Sequence, residues 1–182
     1  MSDQNTDLKH VSDDALKEMV MIQNRIKQLG VKEKSQTDFI EYVKHVWDGF
    51  IEGEHHKLFA EKLERVAQGK CKRLIVNMPP RHTKSEFASV FFPSWIMGLN
   101  PDMKIMQTTH TAELSARFGR KVRNLMDTDE YKQIFDKVSL SADSKSAGRW
   151  ETNKGGEYFA AGVGGAITGR GADLLIIDDP HS

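Results

Sequence analysis

Residues 73–86 read Arg-Leu-Ile-Val-Asn-Met-Pro-Pro-Arg-His-Thr-Lys-Ser-Glu, and their reading decides the fold. Leu74, Ile75 and Val76 form a short continuous apolar run closed by Pro79-Pro80, the pattern of a strand buried on both faces. Beyond the loop, Phe87 to Met97 reads as a helix, with Pro93 as a kink or early end and Asn100-Pro101 closing it. Strand, loop, Lys-Ser, helix is the order in which a phosphate-binding loop is built. Such a loop needs backbone N–H groups converging on phosphates at a helix amino terminus, a lysine reaching the β and γ phosphates, and a hydroxyl on Mg²⁺. Lys84 and Ser85 supply the last two. The usual pattern has glycine directly before the lysine and again five places earlier, where this chain has Thr83 and Met78. By itself the stretch also fits a solvated Lys-Ser opening an ordinary helix.

A second stretch bears on that choice. Leu174-Leu175-Ile176-Ile177-Asp178-Asp179 is a buried strand ending in two carboxylates, the form of a Walker B motif. At the carboxyl end of a parallel strand, one carboxylate can hold Mg²⁺ and the next can orient or deprotonate an attacking water. An Asp-Asp-Pro turn is the plainer alternative. Roughly ninety residues separate the two motifs, with at least one further strand and helix between them, so right-handed crossovers can bring both to one sheet edge.

Around these motifs the pattern is that of an α/β chain with a mostly parallel sheet, helices on both faces and an N-terminal helical extension over residues 1–36. Residues 1–11 are polar and expected to fray. Ser12, Asp13 and Asp14 open a helix that Gly30 can end, and residues 31–36 read as a linker. Phe39, Tyr42, Val43, Val46 and Trp47 recur at helical spacing up to Gly49, and a further helix spans His55 to Gln68. Lys104 to Thr109 reads as a strand, and Thr111 caps a helix to Met126. Residues 150–152 and 157–161 read as a hairpin or two short strands, joined by Asn153-Lys154-Gly155-Gly156.

Composition excludes little but bounds the rest. A chain of 182 residues, 38% hydrophobic, suffices for one sizeable core. Lys plus Arg (26) equals Asp plus Glu (26), so no overall basic field draws a polyanion. Arg117, Arg120, Lys121 and Arg123 form a local cluster that could face DNA or simply be a solvated helix face. The single Cys71 makes no internal disulfide, the amino terminus lacks the plan of a signal peptide, and the most apolar stretch, Phe87 to Leu99, is too short to span a bilayer. A cytoplasmic, membrane-free protein is the expectation. His45, His55, His56 and His110 have no metal-ligand spacing.

Residues 73–86, together with His56-Lys57, Leu63 and the run Ile167-Thr168-Gly169-Arg170-Gly171-Ala172-Asp173 leading into Leu174–Pro180, resemble the large terminase subunits of tailed bacteriophages. The resemblance covers about residues 38–182, and the Pro-Pro-Arg-His loop and the Gly-Arg-Gly-Ala-Asp lead are its specific parts. It implies a RecA-like P-loop NTPase domain over residues 37–182, binding ATP and Mg²⁺ and driving double-stranded DNA into a procapsid. The implied partners are a small terminase subunit, the portal protein and further copies in a ring. Carried over, Pro80, Arg81, His82, Thr83, Lys84 and Ser85 cradle the phosphates, with Arg81 on the γ-phosphate. Ser85 and Asp178 hold Mg²⁺. Asp179 stands where many members carry a catalytic glutamate and is one methylene shorter. Arg170 serves as a trans finger or a sensor, or is a surface charge in a Gly-rich loop. Trp47 and His56 fall where such ATPases contact adenine, though core packing or an ordinary helix surface is the commoner explanation for each. The family's nuclease domain would lie beyond Ser182, and the sheet is expected to be incomplete at its Leu174–Ile177 strand, with an exposed apolar face or free edge. A helicase-like ATPase and a non-catalytic docking module are the alternatives.

Overall fold

The computed structural model describes residues 13–142, 146–165, 167 and 169–181, so the expectation for residues 1–11 lies outside the described residues. The helices are α1 (Asp13–Thr37), α2 (Phe39–Val46), α3 (Glu54–Ala67), α4 (Lys84–Glu86), α5 (Phe92–Leu99), α6 (Ala112–Met126) and α7 (Asp129–Ile134). The strands are β1 (Lys104–Thr109), β2 (Arg149–Glu151), β3 (Glu157–Gly162) and β4 (Leu174–Ile177), in the sheet order β2-β3-β1-β4. β1 pairs in parallel with both β3 and β4, and β2 runs antiparallel to β3 as the expected hairpin, Trp150 opposite Tyr158. The chain is therefore mixed α/β with a mostly parallel sheet.

Strand alternation divides the sheet into two unlike faces. Ile105, Gln107, Tyr158 and Ile176 share one face, and Ile105, Tyr158, Ile176 and Trp150 all belong to the main apolar cluster, with Phe39, Phe87, Trp95 and Val122 from the helices. α6 lies directly on this face. A Cβ on its Gly119 would stand 2.5 Å from the Ala147 carbonyl oxygen, so only glycine permits the approach at which Trp150 Nε1 donates to the Gly119 carbonyl (3.0 Å). On the opposite face Arg170 lies over the Phe159 ring, while Leu175 and Ile177 are 54% and 58% exposed. Helices on both faces were expected; among the described residues they cover one. The β3-to-β4 connection, with Gly164, Gly165, Gly169 and Gly171, is too glycine-rich to supply a crossover helix.

Three other expectations are corrected. α1 passes through Gly30 and continues to Thr37, because its last turns are held by tertiary contacts: Trp95 Nε1 donates to the Ser35 carbonyl (2.8 Å), Gln36 Nε2 to the Ile134 carbonyl (2.8 Å), and Lys32 pairs with Asp136 (2.9 Å). The break comes at Asp38, whose carboxylate accepts the Glu41 N–H and caps α2. Leu74–Val76 forms no strand and pairs with none among the described residues; Leu74 and Val76 pack on the core and Ile75 is 87% exposed. Finally, Pro93 does not end its helix, which runs on to Leu99. Between α4 and α5 the helix widens to a π turn over Phe87–Phe91, in which the Phe92 N–H reaches back to the Phe87 carbonyl. A proline ring collides with the carbonyl four residues earlier in a regular helix, and the wide turn relieves that collision before Pro93 arrives. The short α7, capped by Thr128, was not anticipated.

Candidate functional site

The carboxyl end of β4 and the start of α4 meet. Lys84 Nζ lies 2.5 Å from Asp179 Oδ1 and 3.4 Å from Asp178 Oδ1, although 95 residues separate Lys84 from Asp179. Asp178 is buried, continues the ladder by donating its N–H to the Thr108 carbonyl, and accepts a hydrogen bond from Ser89 Oγ (2.9 Å) at Oδ2. Asp179 is more exposed, adopts a positive φ of 44°, and its carbonyl accepts the His110 N–H. Burial pulls the Lys84 ammonium downward, but the hydrogen bond to Asp179 and the fields of both carboxylates outweigh it and hold the group above its usual 10.5. Lys84 stays charged at neutral pH.

The loop before Lys84 is built without glycine, yet it takes the backbone conformation that glycine favours. Arg81 and Thr83 have φ of 64° and 62°. A left-handed residue costs a β-branched side chain about 1–2 kcal/mol, so something must hold Thr83 there. His56 does. The Gly53 N–H donates to His56 Nδ1 (3.0 Å), which fixes the neutral ring with its proton on Nε2; Nε2 then donates to Thr83 Oγ1 (2.7 Å), and Oγ1 donates to the His82 carbonyl (2.6 Å). Burial first, then the neighbouring His55, pushes the His56 pKa below its ordinary 6.5, in keeping with a neutral ring. The ring also stacks on Phe87 at 5.0 Å, joining α3, loop and helix.

The other expected residues fall as follows. His82 Nδ1 donates to the Pro80 carbonyl (2.9 Å), and its ring stands 5.6 Å from His55. Arg81 is exposed, and Ser85 is partly buried on the first turn. The hydroxyl touching Asp178 belongs to Ser89, one turn further along, which the sequence reading did not single out. Trp47 packs on Phe91 and Phe50 at 5.2 and 5.4 Å. Arg170 is not brought to this cluster. It pairs with Glu157 (3.2 Å) and lies 4.1 Å from the centre of the Phe159 ring, beside a hollow of about 240 Å³ also lined by Lys104. Glu157 opens β3, five residues from the strand's carboxyl end, so Arg170 sits about 16 Å along the sheet from Lys84.

The chemistry of the donors suits a small hard cation. Asp178 and Asp179 offer oxygen only, and Lys84 gives one positive charge against their two negative charges. The Lys84 ammonium lies against both carboxylates. Among the described residues no group of three or more His, Cys, Asp or Glu could hold a metal by itself, so a cation here needs a further ligand such as phosphate. Nor, among these residues, is any helix long and apolar enough to cross a membrane. Comparisons with protein-family profiles, with curated proteins and with solved structures return no match.

Proposed function

We propose that the chain is a nucleotide-binding α/β protein whose site is the meeting of loop 79–85 with Asp178 and Asp179. More particularly, it acts as the P-loop ATPase portion of a DNA-packaging motor similar to the large terminase subunit of tailed phages, with double-stranded DNA, a small terminase subunit and the portal as partners. One observation carries the reading: a lysine at the start of a helix reaches a pair of carboxylates at the end of a parallel strand, across 95 residues of chain. An incidental salt bridge does not require the loop before the lysine to carry two left-handed residues.

The residues divide the work of ATP hydrolysis as follows. Lys84 leaves the carboxylates for the β and γ phosphates, drawn by greater charge, while Arg81, exposed at the loop's tip, neutralises the γ-phosphate oxygens. Backbone N–H groups of residues 82–85 face the phosphates at the head of the helix. Ser85 and Asp178 would hold Mg²⁺, which would supply charge neutralisation at the phosphates. Asp179 orients a water and accepts its proton as oxygen bonds to the γ-phosphorus and the bond to the β–γ bridging oxygen breaks, the electron pair leaving with ADP. Release of Lys84 leaves the carboxylates an uncompensated charge of −2, so nucleotide and Mg²⁺ should bind together.

The test is calorimetric titration of Mg-ATP into the chain and into Lys84→Ala, with phosphate release measured in parallel. Binding that needs both Mg²⁺ and Lys84 is expected. Equal affinity for the wild type and Lys84→Ala would refute the site. Binding without turnover would keep the site and favour the docking alternative over a working ATPase.

A further inference from the structure

The amino-terminal two-thirds of α1 does not belong to the core. Residues 16–29 are exposed without exception, yet they include Leu16, Met19, Val20, Met21, Ile22, Ile26 and Leu29, each 44–64% exposed. At 1.5 Å per residue this is about 21 Å of helix; its last turns are bonded to the body, and Arg25, Gln28 and Leu29 line a hollow beside His45 and Lys132. A helix of such length is marginal alone in water, and half of its residues are large and apolar. Scattered exposed apolar residues need no explanation; a continuous stripe on a projecting helix does.

The stripe has the spacing of a two-helix seam. Met19, Ile22, Ile26 and Leu29 follow one another at intervals of three, four and three, the alternation that keeps one line of side chains toward a partner helix. Charge then chooses the orientation. Asp13, Asp14 and Glu18, with Lys17, make the first half acidic, and Arg25 and Lys27 make the second half basic. Among the described residues neither Glu18 nor Arg25 has an ion-pair partner in its own chain. An antiparallel neighbour of the same sequence sets acidic half against basic half, places Met19 across from Ile22 of the other copy, and brings Glu18 beside Arg25 twice. It also opposes the two helix dipoles. A parallel neighbour would set acid beside acid and base beside base.

We propose that residues 13–29 form an antiparallel two-helix contact with a second copy of this chain. The contact is isologous: the same patch serves both copies and closes at two. Burial begins at Gly30 and Val31, and an overlap centred between Val20 and Met21 brings the other copy's amino terminus to the hollow edged by Arg25 and Leu29. With so short a seam the interface falls below the standard size of about 1,600 Å², and association will depend on concentration. The proposal is independent of the nucleotide site.

Sedimentation equilibrium over a roughly hundredfold range of concentration tests it. A monomer–dimer equilibrium is expected. Ile22→Lys, at a half-exposed position where a charge does not threaten the fold, should weaken it at least tenfold. Glu18→Arg and Arg25→Glu should each weaken it, and the double exchange should restore it, because the pair is re-formed across the interface. In a Cys71→Ser background, mixed Met19→Cys and Ile22→Cys chains should oxidise mainly to the 19–22 heterodimer. A wild type that stays monomeric throughout overturns the proposal. So does a dimer indifferent to Ile22→Lys, or one in which Met19→Cys joins preferentially to itself.

Discussion

Thr83→Val is the most informative single change at the loop. Valine keeps the shape and the β-branch of threonine, so the left-handed backbone strain is unaltered, but the hydroxyl is gone. His56 Nε2, 2.7 Å from that hydroxyl on a 6%-exposed ring, then has a proton and no acceptor. A buried donor left without a partner costs about 1–3 kcal/mol, so destabilisation of about 2 kcal/mol is expected. For a chain of this length that corresponds to a loss of about 4–8 °C in Tm. Thr83→Gly loses the same hydrogen bond but relieves about 1–2 kcal/mol of left-handed strain, offset by about 0.4–1 kcal/mol of extra freedom in the unfolded chain. It should therefore be more stable than Thr83→Val by roughly 0.5–1 kcal/mol. Urea unfolding followed by tryptophan fluorescence measures both, with unchanged slope as the check that only stability has moved. If the valine and glycine variants are equally destabilised, Thr83 does not hold φ 62° in solution; if the valine variant loses nothing, His56 does not bond to the hydroxyl.

The same histidine gives a pH signature. Its folded pKa lies below its unfolded value, so the stability it contributes is complete above about pH 6.5 and lost as pH falls through the folded value. The urea midpoint of the wild type should fall more between about pH 7.5 and pH 5 than that of His56→Gln, whose side chain does not titrate; parallel curves would remove His56 from the account. In the core, Tyr158 donates from its hydroxyl to Gln107 Oε1, while Gln107 Nε2 is buried without a partner. Tyr158→Phe alone should cost about 1–3 kcal/mol, and Tyr158→Phe with Gln107→Leu should recover most of it because no polar atom is then left unmatched. A double variant as unstable as the sum of the two single variants would show that the pair is not coupled.

Where the chain's own chemistry settles an element, sequence is a sufficient guide. Thr111 caps α6 through its hydroxyl to the Leu114 N–H, Lys104–Thr109 forms β1, and Leu174–Ile177 runs into the two aspartates. Where an element depends on a distant partner, it is not. Gly30 and a polar stretch read as a helix end, but the Trp95 indole holds the Ser35 carbonyl from 60 residues away and the Ile134 carbonyl accepts the Gln36 side-chain amide from 98. Leu74–Val76 has the composition of a buried strand and lacks a strand to pair with, which composition cannot report. Arg170 is separated from Asp178 by eight residues and by the length of a strand, because β4 carries the chain from one end of the sheet to the other. Ser89 was missed for a related reason: it meets Asp178 only because of where the helix after Lys84 is laid.

The missing glycine and His56 belong to one arrangement. With glycine at position 83 the loop would reach a left-handed conformation unaided; Thr83 needs an external hold, and the side chain that makes the conformation costly also carries the hydroxyl that His56 grasps. The same ring accepts the Gly53 N–H at the head of α3 and lies on Phe87. Loop geometry is thereby tied to the packing of α3 rather than to local backbone freedom. A pattern that scores positions 78 and 83 for glycine judges this loop poor, because it measures freedom and not restraint. On this reasoning, substituting His56 should disturb Lys84 without touching it. The ammonium's distance to Asp179 depends on Thr83 keeping its conformation, and Thr83 depends on a proton held at Nε2, some 27 residues earlier in the chain.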